Sequence, residues 1–324
     1  MTQPLRTICV GTVTRNRPIM LQALLDSYAT METPIHTRLV FVIIENNETA
    51  TLHDIVERFR AKVTGCTVEY GIESRLGISF VRNRVLDFAI SSGCDLLTFA
   101  DDDEVVEPDW LVQLLAERDS ADLDIVGGPV RLSSVENISV WKRMIWQAIK
   151  NMMNKGEMET YSKRASGAAD KLWIATNNWM GDLDFFRSTG LRFDEGLGLN
   201  GGEDWKLYRQ AKKAGAKTGW APNAIVYETA APERLTLAYQ FKRSRDHCAI
   251  ETRAKLKNRR LYTCYRTPGS ILARLLKLII QLIATPFTPG ESLVRIAAYI
   301  GGIVGLIQAF THYHSPHYQK TTGY

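Results

Sequence analysis

Over the first 130 positions, apolar runs rich in β-branched residues alternate with stretches whose apolar residues recur at helical spacing. Residues 7–13 (TICVGTV) and 38–44 (RLVFVII) have the near-continuous apolar character of strands covered on both faces. Between them, Pro18 suits the first position of a helix, and Leu21, Leu24, Leu25 and Tyr28 share one face. The series continues with a helix over 51–62, a strand over 66–70, a helix over 77–90 after a glycine turn and a strand over 96–100 (LLTFA). A helix opening at Pro108 and a strand over 123–131 (LDIVGGPVR) follow. Such alternation predicts an α/β fold, a Rossmann-like and mostly parallel sheet with helices on both faces.

Further along, residues 138–153 put Ile138, Trp141, Ile145, Ala148, Ile149 and Met152 on one helical face, with Lys142, Arg143 and Lys150 opposite. This is either a core-facing helix or a lid that touches lipid or acceptor. Residues 172–186 return to strand and turn, 193–215 hold a glycine-rich loop feeding a helix near Glu203, and 217–228 hold a final strand. Past 268 the character changes. Residues 271–284 (ILARLLKLIIQLIA) are apolar except for a stripe of Arg274, Lys277 and Gln281, and at about 1.5 Å per residue this stretch is too short to span a bilayer. A second apolar helix, broken by glycines, is expected over 293–310. Together they predict amphipathic helices lying in a membrane interface as a monotopic hairpin, with packing on the soluble core, or a true span by the second helix, as the alternatives. The expected divisions are 1–232 for the sheet domain, 233–267 for a basic helical extension and 268–324 for the membrane-associating hairpin.

Charge sharpens this division. The 324 residues carry a net charge of +5, but 240–277 holds eleven Lys/Arg against two acids. A block of that kind wants an anionic partner such as phosphate or a lipid surface. No nucleic-acid-binding motif accompanies it, so nucleic acid is not an expected partner. The five cysteines show no zinc spacing and read as free thiols. With no apolar secretory core at the start of the sequence, a cytoplasmic location is expected, peripheral at the inner face of the cell membrane.

The 96–100 strand delivers four successive acids, Asp101, Asp102, Asp103 and Glu104. A solvated acidic loop is one explanation; a site for Mg²⁺ or Mn²⁺, which take oxygen ligands and share them with substrate phosphates, is the other. Ligands of such sheets bind beyond the carboxyl ends of the strands. Polar clusters at Thr12–Asn16, Glu45–Asn47 and Asp101–Asp103 all fall at such ends, which favours a ligand site. No GxxxxGK[ST] or GxGxxG loop is present to cradle phosphates. A second acid pair, Glu203-Asp204, follows Gly201-Gly202 at a helix start, where the dipole favours ionised carboxylates. It is either a helix cap or a general base.

The ordered set TVTRNRP (12–18), VIIENN (42–47), RLGISFVRN (75–83), FADDDEVVEPDW (99–110) and GLNGGEDWKL (198–207) resembles the inverting glycosyltransferase family 2, of the GT-A fold. The forms of the last two motifs look most like bacterial exopolysaccharide glycosyltransferases of the succinoglycan-biosynthesis type. The resemblance covers roughly residues 5–260. It implies transfer of a hexose from a nucleotide-sugar, UDP-glucose above all, to a saccharide acceptor on a polyprenyl-diphosphate carrier. Thr12, Thr14, Glu45, Arg75, Arg82, Asp101 and Asp102 would line the nucleotide site, with Glu45 standing where the family usually has Asp. Asp101 and Asp103 would hold Mg²⁺ or Mn²⁺, with Glu228 as a third ligand where related folds often have His. Asp204 would be the base and Glu203 its neighbour. Asn83 pairs with Arg82 in the motif, with a solvated helix face as the alternative for both. Arg243 and Arg245 face either the diphosphate or the membrane, and Trp179 and Trp205 either stack on a sugar or pack in the core. The rival readings are a nucleotidyltransferase, which would want a glycine-rich activating loop after the first strand, and a non-catalytic metal- or saccharide-binding module.

Overall fold

Residues Arg6–Thr14 form the first strand, β1, and the apolar alternation around them sets the rest of the sheet. The computed structural model describes residues 5–197, 201–311 and 323. After β1 come α1 (Pro18–Thr30), β2 (Thr37–Glu45), α2 (His53–Lys62), β3 (Thr67–Ile72), α3 (Ile78–Ser91) and β4 (Leu96–Ala100), in the order that the spacing predicts. The chain then forms β5 (Glu104–Val106), α4 (Trp110–Ala121), β6 (Ile125–Gly127), β7 (Val130–Leu132) and α5 (Val140–Ala165). Next are β8 (Asn178–Asp182), α6 (Leu183–Thr189), α7 (Glu203–Lys213), β9 (Thr218–Trp220) and β10 (Val226–Glu228). Three helices follow: α8 (Leu237–Asn258), α9 (Arg260–Ala284) and α10 (Pro289–Gln308).

The chain divides into two compact units. One comprises the chain through Ser133 together with Gly156–Thr229; the other comprises Ser134–Lys155 and Ala230–Gly323. The first unit is built on a seven-stranded sheet of order β3-β2-β1-β4-β8-β6-β9. β3, β2, β1 and β4 are parallel, and β8 runs antiparallel to both its neighbours. Side-chain alternation fills both faces. Leu39, Phe41 and Ile43 of β2 enter one core with α1, α2 and α4, while Val40, Val42 and Ile44 enter the other with α3, α6 and α7. A second sheet of order β5-β10-β7 lies in the same unit.

Two sequence expectations change here for one reason. The strand expected over 123–131 is two strands, β6 and β7, in different sheets, and the strand expected over 217–228 is likewise β9 and β10. Pro129 and Pro222 stand at the breaks, and a proline has no N–H to continue a ladder. The chain direction also reverses across the sheet. β2 and β3 extend it to one side of β1, and β4 lies on the other. The β1/β4 boundary is therefore the topological switch point, where a crevice opens at the carboxyl ends.

In the second unit, α10 packs on α8 through small residues. A Cβ on Gly301 or Gly305 would stand 2.2 or 2.1 Å from the carbonyl oxygens of Phe241 and Arg245. Ile145 and Ala148 of α5 form a small core with Val294, and Lys155 and Asn151 hold Glu291. The short helix expected over 271–284 is the C-terminal part of a 25-residue helix that begins at Arg260 and continues through Pro268. α9 and α10 are each long and apolar enough to cross a membrane by length and composition, and only 6% of the apolar window of α9 is buried in the protein.

Candidate functional site

Four carboxylates at the end of β4 meet two guanidiniums. Asp102 and Asp103 are buried, and Asp101 is partly exposed. Thr14 at the end of β1 donates through Oγ1 to Asp102 Oδ2 at 2.8 Å, across the switch point. Arg17, just before Pro18 of α1, donates through Nη1 to Asp102 Oδ1 at 2.6 Å and Asp103 Oδ2 at 3.3 Å. Burial and the Asp103 charge push the Asp102 carboxyl up to about 6 despite Arg17 and Thr14. Glu104 turns back under the turn: its Oε2 accepts from the Asp101 N–H at 2.7 Å and its Oε1 from Asn177 at 2.8 Å. Burial, with Asp101 and Asp103 nearby, raises its pKa well above the ordinary carboxylate value. The four acids thus relieve part of their mutual repulsion: burial disfavours the charged form of Glu104, and Asp102 and Asp103 both pair with Arg17.

Arg82 joins this cluster to the second acid pair. It is fully buried on α3, and donates to Asp101 Oδ1 at 2.9 Å and to Glu203 Oε1 at 2.8 Å. Burial disfavours its charge, but Asp101, Glu203 and Asp204 more than restore it. Glu203 is itself raised by burial, with Arg82 opposing. Gly202 at the N-cap of α7 has φ 84° and Gly201 φ 71°, a left-handed pair that starts the helix with its acids in the first turn. Residues 198–200 of that motif lie outside the described residues. Asp204 Oδ1 accepts from the Trp205 N–H, and its side chain lines a small pocket with Thr176, Trp179 and Tyr208. Thr176 Oγ1 and Trp179 Nε1 are buried without a hydrogen-bond partner among the described residues.

The remaining sequence candidates lie around this centre. Glu45, at the end of β2, accepts from Asn47, from the Thr51 N–H and hydroxyl, and from Tyr70. Burial opposes its charge, but these donors hold its pKa below the ordinary value, while burial and Glu45 push Tyr70 up to about 12. Thr12 is buried with its hydroxyl 3.5 Å from that of Tyr28, inside the α1 core. Arg75 stands apart from the Asp cluster, ion-paired to Glu73 at 3.0 Å and Glu195 at 3.4 Å. Glu228 lies opposite Glu104 in the β5–β10 ladder, and the next N–H, of Thr229, donates to Asp103 O at 2.7 Å. Asn83 is buried rather than on a solvated face and exchanges hydrogen bonds with the Phe193 backbone. Trp179 is core, stacked on Phe99, whereas Trp205 is 45% exposed with Arg209 over its ring. Arg243 and Arg245 belong to α8 of the second unit.

Three contributors were not singled out from the sequence: Arg17, Asn177 and Asn46. Asn46 ties the β3–α3 loop by donating to the Glu73 and Arg75 carbonyls and accepting from Gly77 N–H. Its place in the VIIENN motif beside Glu45 was the available signal.

The "Glycosyltransferase like family 2" model matches residues 6–249. The chain belongs to this family. Among curated proteins, the succinoglycan biosynthesis protein ExoM of Rhizobium meliloti (strain 1021) is 30% identical over 237 residues, 73% of this chain and 71% of that protein. Among solved structures, the mannosyltransferase PcManGT from Pyrobaculum calidifontis, in complex with GDP-Man and Mn²⁺, superposes with a TM-score of 0.59 at 15% identity, covering 97% of this chain and 89% of that one. S. aureus TarS superposes at 0.51 and 14% identity; the match covers 93% of this chain but spans 55% of TarS. These likenesses show the GT-A fold. The glycosyltransferase family accounts for strand-end acids at a switch point facing a helix-borne acid pair.

Among the described residues no group of three or more His, Cys, Asp or Glu stands ready-made for a metal ion. The donor set nevertheless fits a hard divalent cation that takes its remaining ligands from phosphates. Asp101, Asp102, Asp103 and Glu203 are ion-paired to Arg17 and Arg82, and the Nε atoms of both arginines are buried without a partner among the described residues.

Proposed function

We propose that this glycosyltransferase moves a hexose from a UDP-hexose such as UDP-glucose, with inversion, onto a saccharide acceptor carried on polyprenyl diphosphate at the inner face of a membrane. The observation that carries this reading is the double ion pair of Arg82, which sets Asp101 of the strand-end cluster beside Glu203 and hence Asp204. Donor-side and acceptor-side acids are thereby held in one crevice. Nucleotide-sugar use is supported by GDP-Man in PcManGT and by UDP-GlcNAc in the TarS 1–349 complex, which superposes at 0.50 and 13% identity. The ExoM likeness supports an exopolysaccharide acceptor.

In this mechanism Thr14, Asp102 and Arg82 orient the nucleotide at the switch point, and Glu45 fixes the loop beside it. Asp204 accepts the proton of the acceptor hydroxyl as that oxygen attacks the anomeric carbon. The bond to the diphosphate breaks on the opposite face, so a single displacement inverts the centre. Mg²⁺ or Mn²⁺ held by Asp101 and Asp103, with Glu228 as the candidate third ligand, would supply Lewis-acid stabilisation of the charge on the departing diphosphate. The exposed apolar side of α9, with Arg274 and Lys277 on the same helix, supports association with an anionic membrane surface, where a lipid-linked acceptor resides.

Incubation with Mn²⁺ and a panel of UDP-sugars tests the reading. UDP release that requires both acceptor and metal supports it; sugar phosphate plus diphosphate would instead identify a nucleotidyltransferase, and no turnover a binding module.

A further inference from the structure

Two tryptophans of the sheet unit are exposed beside the pocket that Asp204 lines. Trp205 is 45% and Trp173 53% exposed, although an indole is one of the largest apolar groups a chain can bury. On α7, Asp204, Leu207 and Tyr208 line the pocket, and Trp205 with Arg209 forms the next stripe, about 100° round the helix. The Arg209 guanidinium stands over the Trp205 ring, 4.6 Å from its centroid. One face of the indole is thus taken and the ring is held in place by a cation–π contact. In the segment before β8, Leu172, Ile174 and Thr176 are buried while Trp173 between them is turned outward. The Tyr208 hydroxyl donates to the Leu172 carbonyl and ties this segment to α7. Ile174 and Thr176 line the same pocket as Asp204. The pocket also holds polar groups in need of a ligand: Thr176 Oγ1 and Trp179 Nε1 are buried without a partner among the described residues. An indole N–H can only donate, so the group it meets must bring an acceptor.

We propose that Trp205 and Trp173 are stacking platforms for the saccharide acceptor, with Thr176 and Trp179 holding one of its oxygens beside Asp204. This rests on the reading of Asp204 as the base, and it names the residues that select a sugar ring. A pyranose matches each feature. Its axial C–H groups make an apolar face for an indole, its hydroxyl oxygens accept hydrogen bonds, and one hydroxyl has to reach Asp204. A purely apolar ligand would leave the Trp179 N–H unpaired, and an anionic one would face the Asp204 carboxylate. The acceptor ring lies on the Trp205 face opposite Arg209, and Trp173 takes a neighbouring part of the same saccharide. Arg209 is a positioning residue: it fixes the indole before the sugar arrives, so less freedom is lost on binding.

The test is saturation-transfer NMR on the full-length protein with UDP and Mn²⁺ present, using methyl β-D-glucopyranoside and methyl β-D-galactopyranoside as probes. In the β-glucoside H1, H3 and H5 lie on one face, so stacking predicts stronger saturation of these three than of H2 and H4. Trp205→Leu should weaken binding of the bound glycoside about tenfold, and Trp173→Leu about threefold. Trp205→Phe keeps an aromatic face and should recover most of the loss. UDP affinity should stay parental in every variant. Parental glycoside affinity in either leucine variant overturns the proposal, as does a parent protein that saturates neither probe. An equal loss of UDP affinity would mark a general disruption of the unit and overturn it too. Failure of the base assignment shows separately: Asp204→Asn would then transfer sugar at the parental rate, while the dependence of glycoside binding on Trp205 stands.

Discussion

The sheet unit and the C-terminal helices solve opposite problems. In the first, charge is buried: Asp102, Asp103, Glu104, Arg82 and Glu203 are all largely hidden from water, and ion pairs or hydrogen bonds engage each of them. In the second, apolar surface is left out: Leu276, Ile280, Ile283 and Phe287 are 55–84% exposed. A buried charge tolerates its setting only with a partner, and exposed apolar area of this extent marks an interaction surface. Each unit therefore states what it lacks. The crevice has partnered acids with unspent arginine donors, which suits a cation and a diphosphate; α9 has a water-facing apolar side, which suits lipid.

The largest effect expected within the first unit comes from Asp204→Asn. Transfer should fall by about 10²–10⁴-fold, the range of a lost general base, with donor binding unchanged. UDP release with acceptor, beside a donor-binding titration, measures both; transfer at the parental rate would remove Asp204 from the mechanism. In the second unit, replacing Leu276, Ile280 and Ile283 together by Gln should move the protein from the membrane pellet to the supernatant. Each such side chain contributes about 1.5–3 kcal/mol when taken out of water. Flotation with anionic vesicles checks this, and undiminished binding would make the exposed face irrelevant to lipid. Gly305→Ala separates packing from lipid contact. Its Cβ would meet the Arg245 carbonyl at 2.1 Å, and overpacking of this kind costs about 1–3 kcal/mol, visible as a lower melting temperature. A parental melting temperature would mean that α10 is not held on α8 in solution.

The smallest effect concerns Glu45. Its folded pKa lies below the ordinary 4.5, because its four donors outweigh burial. The stability it contributes is thus present above that value and lost as pH falls through the folded one. Glu45→Gln should melt earlier than the parent at neutral pH, and the gap should close under acid. A gap that is constant with pH would show that the Glu45 charge is not what its donors stabilise.

Much of the architecture was legible in local pattern. The alternation of β1 to β4 with α1 to α3 followed the apolar spacing, and the acids fell at strand ends and at the α7 start as the motifs place them. Three things were not. The antiparallel β8 looks like any other short strand in sequence, since direction is a property of pairing and not of composition. The length of α9 was hidden by Pro268, which reads as a break but is accommodated within the helix. Trp179 and Trp205 carry the same side chain, and only the packing of Phe99 against the first and the solvent around the second tell them apart.

Sequence alone determined which residues carry charge, which stretches must be buried, and that one strand would end in four acids. These follow from side-chain chemistry and from periods of two and 3.6 that any short segment displays. The tertiary structure decided which charges meet. Arg82 reaches Asp101 19 positions away and Glu203 121 positions away, and Arg17 reaches Asp102 from another strand's end. Coulomb attraction depends on distance in space and on the water excluded between the partners, and neither is written along the chain.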